Sequence, residues 1–330
     1  MKAAITGGAG FLGTELARRL LAEGAITVDG SREPLDALVL ADLVAPRPEL
    51  LDDPRVVAAV GDLPATIDAL GDADVIFHLA GVVSGAAEAD FDLGMATNLD
   101  AFRTVLEACR RRADTPVLVF SSSLAVFGAE PGSGPIGTVD DDTLPRPQSS
   151  YGIQKFIGEQ LVADYTRKGF VHGRSVRLMT VSVRPGRPNA AASSFLSGMV
   201  REPLAGQRAA CPVPPDTPVA LSSPRRTVEG LLRAASATAA EWGGRTAVTL
   251  PALTTTPRRM AEALERVAGA DVAALIDWTD DAAVREIVAG WPARFVTRRA
   301  DALGLRAEES FDDIVREYVA DHPEAVAAVA

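Results

Sequence analysis

The chain has 330 residues, 47% of them hydrophobic and 23% charged, a globular composition able to bury a sizeable core. A net charge of −11 and a pI near 4.9 exclude the basic footprint of a nucleic-acid-binding protein. No run of about eighteen apolar residues occurs, so no membrane span is expected. The two cysteines, Cys109 and Cys211, have neither metal-ligand spacing nor a disulfide framework.

Lys2–Thr6 reads as a strand and Phe11–Glu23 as a helix. The chain enters this pair at once, so no signal peptide is expected and the location expected is cytoplasmic. Between them lies Thr6-Gly7-Gly8-Ala9-Gly10-Phe11-Leu12-Gly13, with Gly7, Gly10 and Gly13 spaced G-x-x-G-x-x-G. Glycines at a strand–turn–helix junction let a pyrophosphate approach the backbone, and the helix N-terminus supplies free N–H groups. This points to a dinucleotide site. The next strand, Ala37–Ala41, ends at Asp42, whose carboxylate suits the ribose hydroxyls of NAD and repels the 2′-phosphate of NADP. Asp42 lies 29 residues after Gly13, more than the usual ~20; a polar surface insertion over Thr27–Leu35 accounts for the excess. Val56–Val60 ends at Gly61-Asp62-Leu63, where Asp62 is placed to reach an adenine amino group and Leu63 to flank the ring. A strand over Ala73–Leu79, a helix over about Met95–Arg112 containing Cys109 as a core thiol, and a strand over Pro116–Phe120 follow. Strands alternating with helices imply a parallel sheet with crossovers.

That last strand runs into Ser121-Ser122-Ser123, hydroxyls at the carboxyl end where open α/β sheets bind ligands. Asp140-Asp141-Asp142 reads as a solvated charge run rather than a metal site. The helix Tyr151–Thr166 opens with Tyr151-Gly152-Ile153-Gln154-Lys155, a Y-x-x-x-K spacing. It puts both side chains on one face, where an ammonium favours a phenolate able to act as a base. A strand is expected over Ser175–Val183. The irregular stretches Arg184–Ser194 and Cys211–Pro218 then lead into a smaller lobe that ends in a helix over Ser310–Ala320.

The glycine loop, Asp42, Gly61-Asp62, His78-Leu79-Ala80-Gly81, Asn98, Ser121-Ser122-Ser123 and Tyr151-x-x-x-Lys155 occur in the order of the extended short-chain dehydrogenase/reductases, and the chain resembles that family over nearly its whole length. The resemblance implies a doubly wound Rossmann sheet with a smaller C-terminal substrate-binding lobe. Residues 1–184, with a returning segment at about 219–245, would bind NAD; 185–218 and 246–330 would form the lobe. Ser123, Tyr151 and Lys155 match the catalytic triad. The cofactor would lie on Gly7, Gly10, Phe11, Leu12, Gly13, Asp42, Asp62 and Leu63. Its remaining contacts would be Leu79, Ala80, Gly81, Asn98, Ser121, Tyr151 and Lys155. His78 reads as structural. Dehydratases carry an acid beside the tyrosine; Ser123-Leu124-Ala125 has none, which disfavours dehydration.

Blocks such as Arg184-Pro185-Gly186-Arg187-Pro188-Asn189 and Leu221-Ser222-Ser223-Pro224-Arg225 look like the D-erythronate dehydrogenase group within this family. That likeness implies oxidation of the C2 hydroxyl of a small sugar acid to the 2-oxo acid, with Tyr151 as base. Arg225, then Arg187, would bind the carboxylate, with Ser84, Ser123, Tyr151, Asn189 and Ser193 toward the substrate hydroxyls. A homodimer through the helices near 95–112 and 151–166 is expected. Two other readings stand: an NDP-sugar epimerase that retains its hydride, and a non-catalytic NAD-binding regulator, against which the intact triad argues.

Overall fold

The computed structural model describes residues 1–130, 132, 134, 136–186 and 192–327. Seven parallel strands form its main sheet: β1 (Lys2–Thr6), β2 (Ala37–Asp42), β3 (Val56–Val60), β4 (Val75–His78), β5 (Val117–Ser123), β6 (His172–Leu178) and β7 (Val248–Thr249). The spatial order is β7-β6-β5-β4-β1-β2-β3. Chain direction across the sheet reverses between β1 and β4, and this parting of the crossovers opens a crevice at the carboxyl ends. Ala3, Ala4 and Ile5 of β1 are fully buried, as expected of a strand covered on both faces.

Alternate residues of β1 feed different cores. Ala3 and Ile5 pack with Leu16 and Leu20 of α1 (Phe11–Glu23). Ala4 packs on the opposite face with Phe102, Val105 and Leu106 of α2 (Ala101–Arg110) and Val162 of α3 (Ser150–Arg167). Cys109 lies in this second core, and burial pushes its thiol up to about 11. The helix expected from Met95 is regular only from Ala101; Met95–Asp100 is a wider π-type turn.

The insertion after α1 is more than surface. Ala25–Val28 and Ser31–Pro34 form an antiparallel hairpin around Asp29-Gly30, both at positive φ. This is the turn chemistry of a two-residue hairpin. Ile26 and Val28 are buried, so the hairpin packs into the core rather than only coating the surface.

The strand expected over 175–183 is divided. β6 ends at Leu178, and Thr180–Val181 pairs instead with Val219–Ser222, which is itself antiparallel to Leu253–Thr255. Past this break the chain leaves the main sheet for α4 (Ser194–Leu204). It then returns as α5 (Pro224–Ser236), whose Val228 and Leu231 cover the α1 face. The return reaches beyond residue 245, because Val248 and Thr249 of β7 pair with Val176 and Arg177. A separate core joins Leu196 and Met199 of α4 with Met260 and Leu264 of α6 (Pro257–Ala268) and Phe311 and Ile314 of α7 (Phe311–Asp321).

Where α3 crosses the sheet, Glu159 is 2% exposed and accepts two hydrogen bonds from Arg177 of β6, at 2.8 and 2.7 Å. It also accepts the Ser122 hydroxyl. Removing one partner of a buried pair strands the other charge. Arg177→Met is therefore expected to lower unfolding free energy by about 3–5 kcal/mol. Adding Glu159→Leu should recover most of that loss. Urea denaturation of the single and double variants checks both.

Candidate functional site

The crevice is a cavity of about 1750 Å³ that runs from the glycine loop to the smaller lobe. At one end Gly7, Gly10, Phe11, Leu12 and Gly13 line it. Gly7 has φ 75°, and a Cβ there would sit 2.7 Å from the Ala80 amide nitrogen. Gly10 caps α1 with no side-chain acceptor, leaving the first helix amides open to an anion. The Asp42 carboxylate is drawn to the loop by the Ala9 N–H at 3.0 Å and takes the Leu43 N–H at 2.7 Å. These features form a cradle that fits the pyrophosphate and ribose of a dinucleotide. Asp62 accepts the Ala65 N–H as a helix cap, and Leu63 is buried beside it. Asp42, Asp62 and Leu63 stand at the carboxyl ends of β2 and β3, outside the cavity lining proper.

Leu79 and Gly81 leave β4 beneath the middle of the cavity. Asn98, in the π-type turn, holds this segment. Its Oδ1 accepts the Val82 N–H at 2.9 Å, and its Nδ2 donates to Gln154 Oε1 at 2.8 Å. His78 shares a 2.8 Å hydrogen bond with Thr6 and stacks on Phe102 and Phe120. Burial, with help from the Lys155 charge, pushes it down to about 3, so it is a neutral structural ring.

Tyr151, Lys155 and Ser123 meet at the centre. Ser149 caps α3 by accepting the Gly152 N–H, which fixes Tyr151 in the first turn. A Cβ at Gly152 would overlap the Ala125 carbonyl, so only glycine lets this turn press against the end of β5. Lys155 donates to the Ser121 carbonyl at 2.8 Å, and its nitrogen lies 5.7 Å from the Tyr151 ring centre. The Ser121 hydroxyl donates to the His78 carbonyl.

The electrostatics differ from the expectation for Y-x-x-x-K. Burial pushes the Tyr151 phenol above its ordinary value, against the opposing pull of Ser123 and Arg184. Burial also lowers the Lys155 ammonium to about 8. Desolvation thus dominates both groups, and the charge acting to lower the phenol is that of Arg184.

The substrate candidates are divided. Ser84 and Ser193 line the cavity. Arg225 does not: it sits at the start of α5, half exposed, with its Nε donating to Glu317 at 2.9 Å. Arg187 and Asn189 fall outside the described residues. Sequence reasoning passed over Arg184, which lines the cavity, and Gln154, which orients Asn98. Arg184 stood in a block already singled out as irregular, but spacing could not separate it from Arg187.

Among the described residues no helix is long and apolar enough to cross a membrane, and no cluster of His, Cys, Asp or Glu has metal-binding geometry. Residues 3–220 match the NAD dependent epimerase/dehydratase family. The chain is 51% identical to a D-erythronate dehydrogenase of Cupriavidus necator, over 97% of this chain and 98% of that one. It is 40% identical to a D-erythronate dehydrogenase of Haemophilus influenzae, over 97% and 99%. A solved nucleoside-diphosphate-sugar epimerase from Agrobacterium tumefaciens superposes with a TM-score of 0.90 at 37% identity, covering 100% of this chain and 96% of that one. The chain therefore belongs to the NAD dependent epimerase/dehydratase family and is an NAD-dependent oxidoreductase.

Proposed function

We propose that this oxidoreductase oxidises the C2 hydroxyl of a small sugar acid such as D-erythronate to the 2-oxo acid. The observation that carries the reading is the meeting of Ser123, Tyr151 and Lys155 in one cavity continuous with the glycine loop. The 51% and 40% identities to D-erythronate dehydrogenases, each over nearly the full chain, support the substrate class.

In this reading the glycine loop holds the cofactor phosphates, Asp42 the adenine ribose, and Asp62 with Leu63 the adenine. Lys155 holds the nicotinamide ribose, while Asn98 steadies the turn at Leu79–Gly81. Bound NAD supplies a hydride acceptor and a positive ring charge. Ser123 orients the substrate hydroxyl, and Tyr151 takes its proton. Burial holds the phenol up, and Ser123 and the Arg184 charge oppose it. A cytoplasmic homodimer through α2 and α3 belongs to the same proposal, and light scattering after size exclusion reads its mass.

The epimerase reading keeps one support, the likeness to the Agrobacterium tumefaciens structure. An epimerase returns its hydride, so NADH absorbance separates the two. Mixing protein and NAD with C4 to C6 aldonates and, separately, a UDP-sugar is expected to release NADH with D-erythronate or a near relative. Silence with every acid, despite NAD binding, would remove the dehydrogenase reading. Tyr151→Phe should cut kcat by about 10²–10⁴-fold while NAD binding persists; unchanged turnover would dismiss Tyr151 as base.

The lowered Lys155 has its own consequence. Its value falls from 10.5 to about 8 on folding. Between those limits the unfolded chain binds more protons than the folded one, so stability rises with pH across the window. Lys155→Met deletes this contribution. Wild-type minus variant unfolding free energy should climb by at most about 1.4 kcal/mol per pH unit from pH 8 to 10.5. Urea titrations read this difference, and a flat result would show that the lysine keeps its ordinary basicity.

A further inference from the structure

Among the described residues, Lys155, Arg184, Arg201, Arg285 and Arg294 are the cations that line the cavity. Four of them are already engaged or turned outward. Lys155 is committed to the Ser121 carbonyl beneath the tyrosine. Arg201 pairs with Glu202 and donates its other nitrogen to the Arg184 carbonyl oxygen at 2.7 Å. Arg285 pairs with Asp280. Arg294 stands exposed on the short strand Arg294–Phe295.

Arg184 differs from all of these. Among the described residues its guanidinium forms no ion pair. The charged or titratable groups acting on it are Arg201, a like charge, and Tyr151, the proposed base. Among the described residues no carboxylate balances it, and it is partly buried. Its backbone is pinned on both sides, by its own N–H to the Ser197 hydroxyl at 3.1 Å and by Arg201 on its carbonyl. A cation on a fixed backbone, desolvated beside another cation and facing the reacting phenol, is stabilised by an anion that arrives with the substrate. Arg225, by contrast, has its anion already in Glu317.

We propose that Arg184 binds the substrate carboxylate, which places C2 beneath Tyr151 and restricts the site to 2-hydroxy acids. The proposal rests on the dehydrogenase reading for its substrate. Carboxylate and carbinol carbon are adjacent in a 2-hydroxy acid, and Arg184 and Tyr151 line the same cavity close enough for their charges to act on each other. A planar guanidinium grips a carboxylate through two parallel hydrogen bonds, which an ammonium cannot reproduce.

The test compares D-erythronate with its neutral amide, by calorimetric titration into protein preloaded with NADH and by turnover with NAD. Wild type is expected to prefer the acid. In Arg184→Gln, KM and Kd for the acid should rise about 10- to 100-fold while the amide is scarcely affected, so the acid-to-amide ratio collapses. Arg184→Lys should restore only part of it. NADH affinity, read by fluorescence, should be unchanged in both variants, which establishes that they fold. If acid and amide weaken together, or if the ratio survives in Arg184→Gln, Arg184 is structural and the proposal is overturned. Charge-selective binding that depends on Arg184 without NADH production would uphold the anchor and defeat the dehydrogenase reading; turnover that ignores Arg184 would do the reverse.

Discussion

The buried contact of Glu159 with Arg177 and Ser122 fixes the geometry on which the site depends. Tyr151, Lys155 and Glu159 stand at i, i+4 and i+8 on α3, one stripe running from the cavity into the core. The carboxylate at the inner end of that stripe is clamped to β6 by two charged hydrogen bonds and to β5 by the Ser122 hydroxyl. Both strands and the helix are thus locked in register at one point. The two serines flanking Ser122 are the ones with work to do: the Ser121 carbonyl receives Lys155, and Ser123 faces Tyr151. A shift of α3 along the sheet would break all of these together. Desolvating this pair carries a cost that apolar residues would avoid, and it provides alignment that apolar packing would not.

The second constraint is topological. Because the crossovers part between β1 and β4, the glycine loop after β1 and the Leu79–Gly81 turn after β4 face each other across an opening. Close approach across it needs small residues, hence the proximity of Gly7 to the Ala80 amide. The triad comes from β5 and α3 on the near side, and the smaller lobe descends from the break after Leu178.

Much of this was legible in the sequence because its signals are local. Strands buried on both faces appear as unbroken apolar runs, and the glycine loop sits between a strand and a helix pattern that give it meaning. Tyr151 and Lys155 share a face as their spacing implied, and Ser123, read from its place at a strand's carboxyl end, lines the same cavity. What the sequence hid was long-range. Polar and apolar residues alternate through 175–183 as in one strand, and only the adjacent pair Leu178-Met179 breaks the alternation where the partner changes. Arg225 follows a capping serine and a proline, a helix start, but the chain does not say that Glu317, 92 residues on, waits opposite. The Y-x-x-x-K spacing revealed a shared face but not its dryness, and dryness decides which way both groups titrate.

The net charge of −11 also needs local reading. NAD and a sugar acid both carry negative charge, and an acidic chain would repel them if its mean field ruled the crevice. Exposed charges are screened beyond about 8 Å at physiological salt, so remote surface acids contribute little inside. The nearby groups decide: the open amides of α1, Lys155 and Arg184 present positive potential, and water-poor walls sharpen it. Asp42 is the exception at the cofactor end, an acid set among backbone N–H groups. A carboxylate there favours neutral ribose hydroxyls and opposes a further phosphate, which is the physical basis of the proposed placement of the NAD ribose on Asp42.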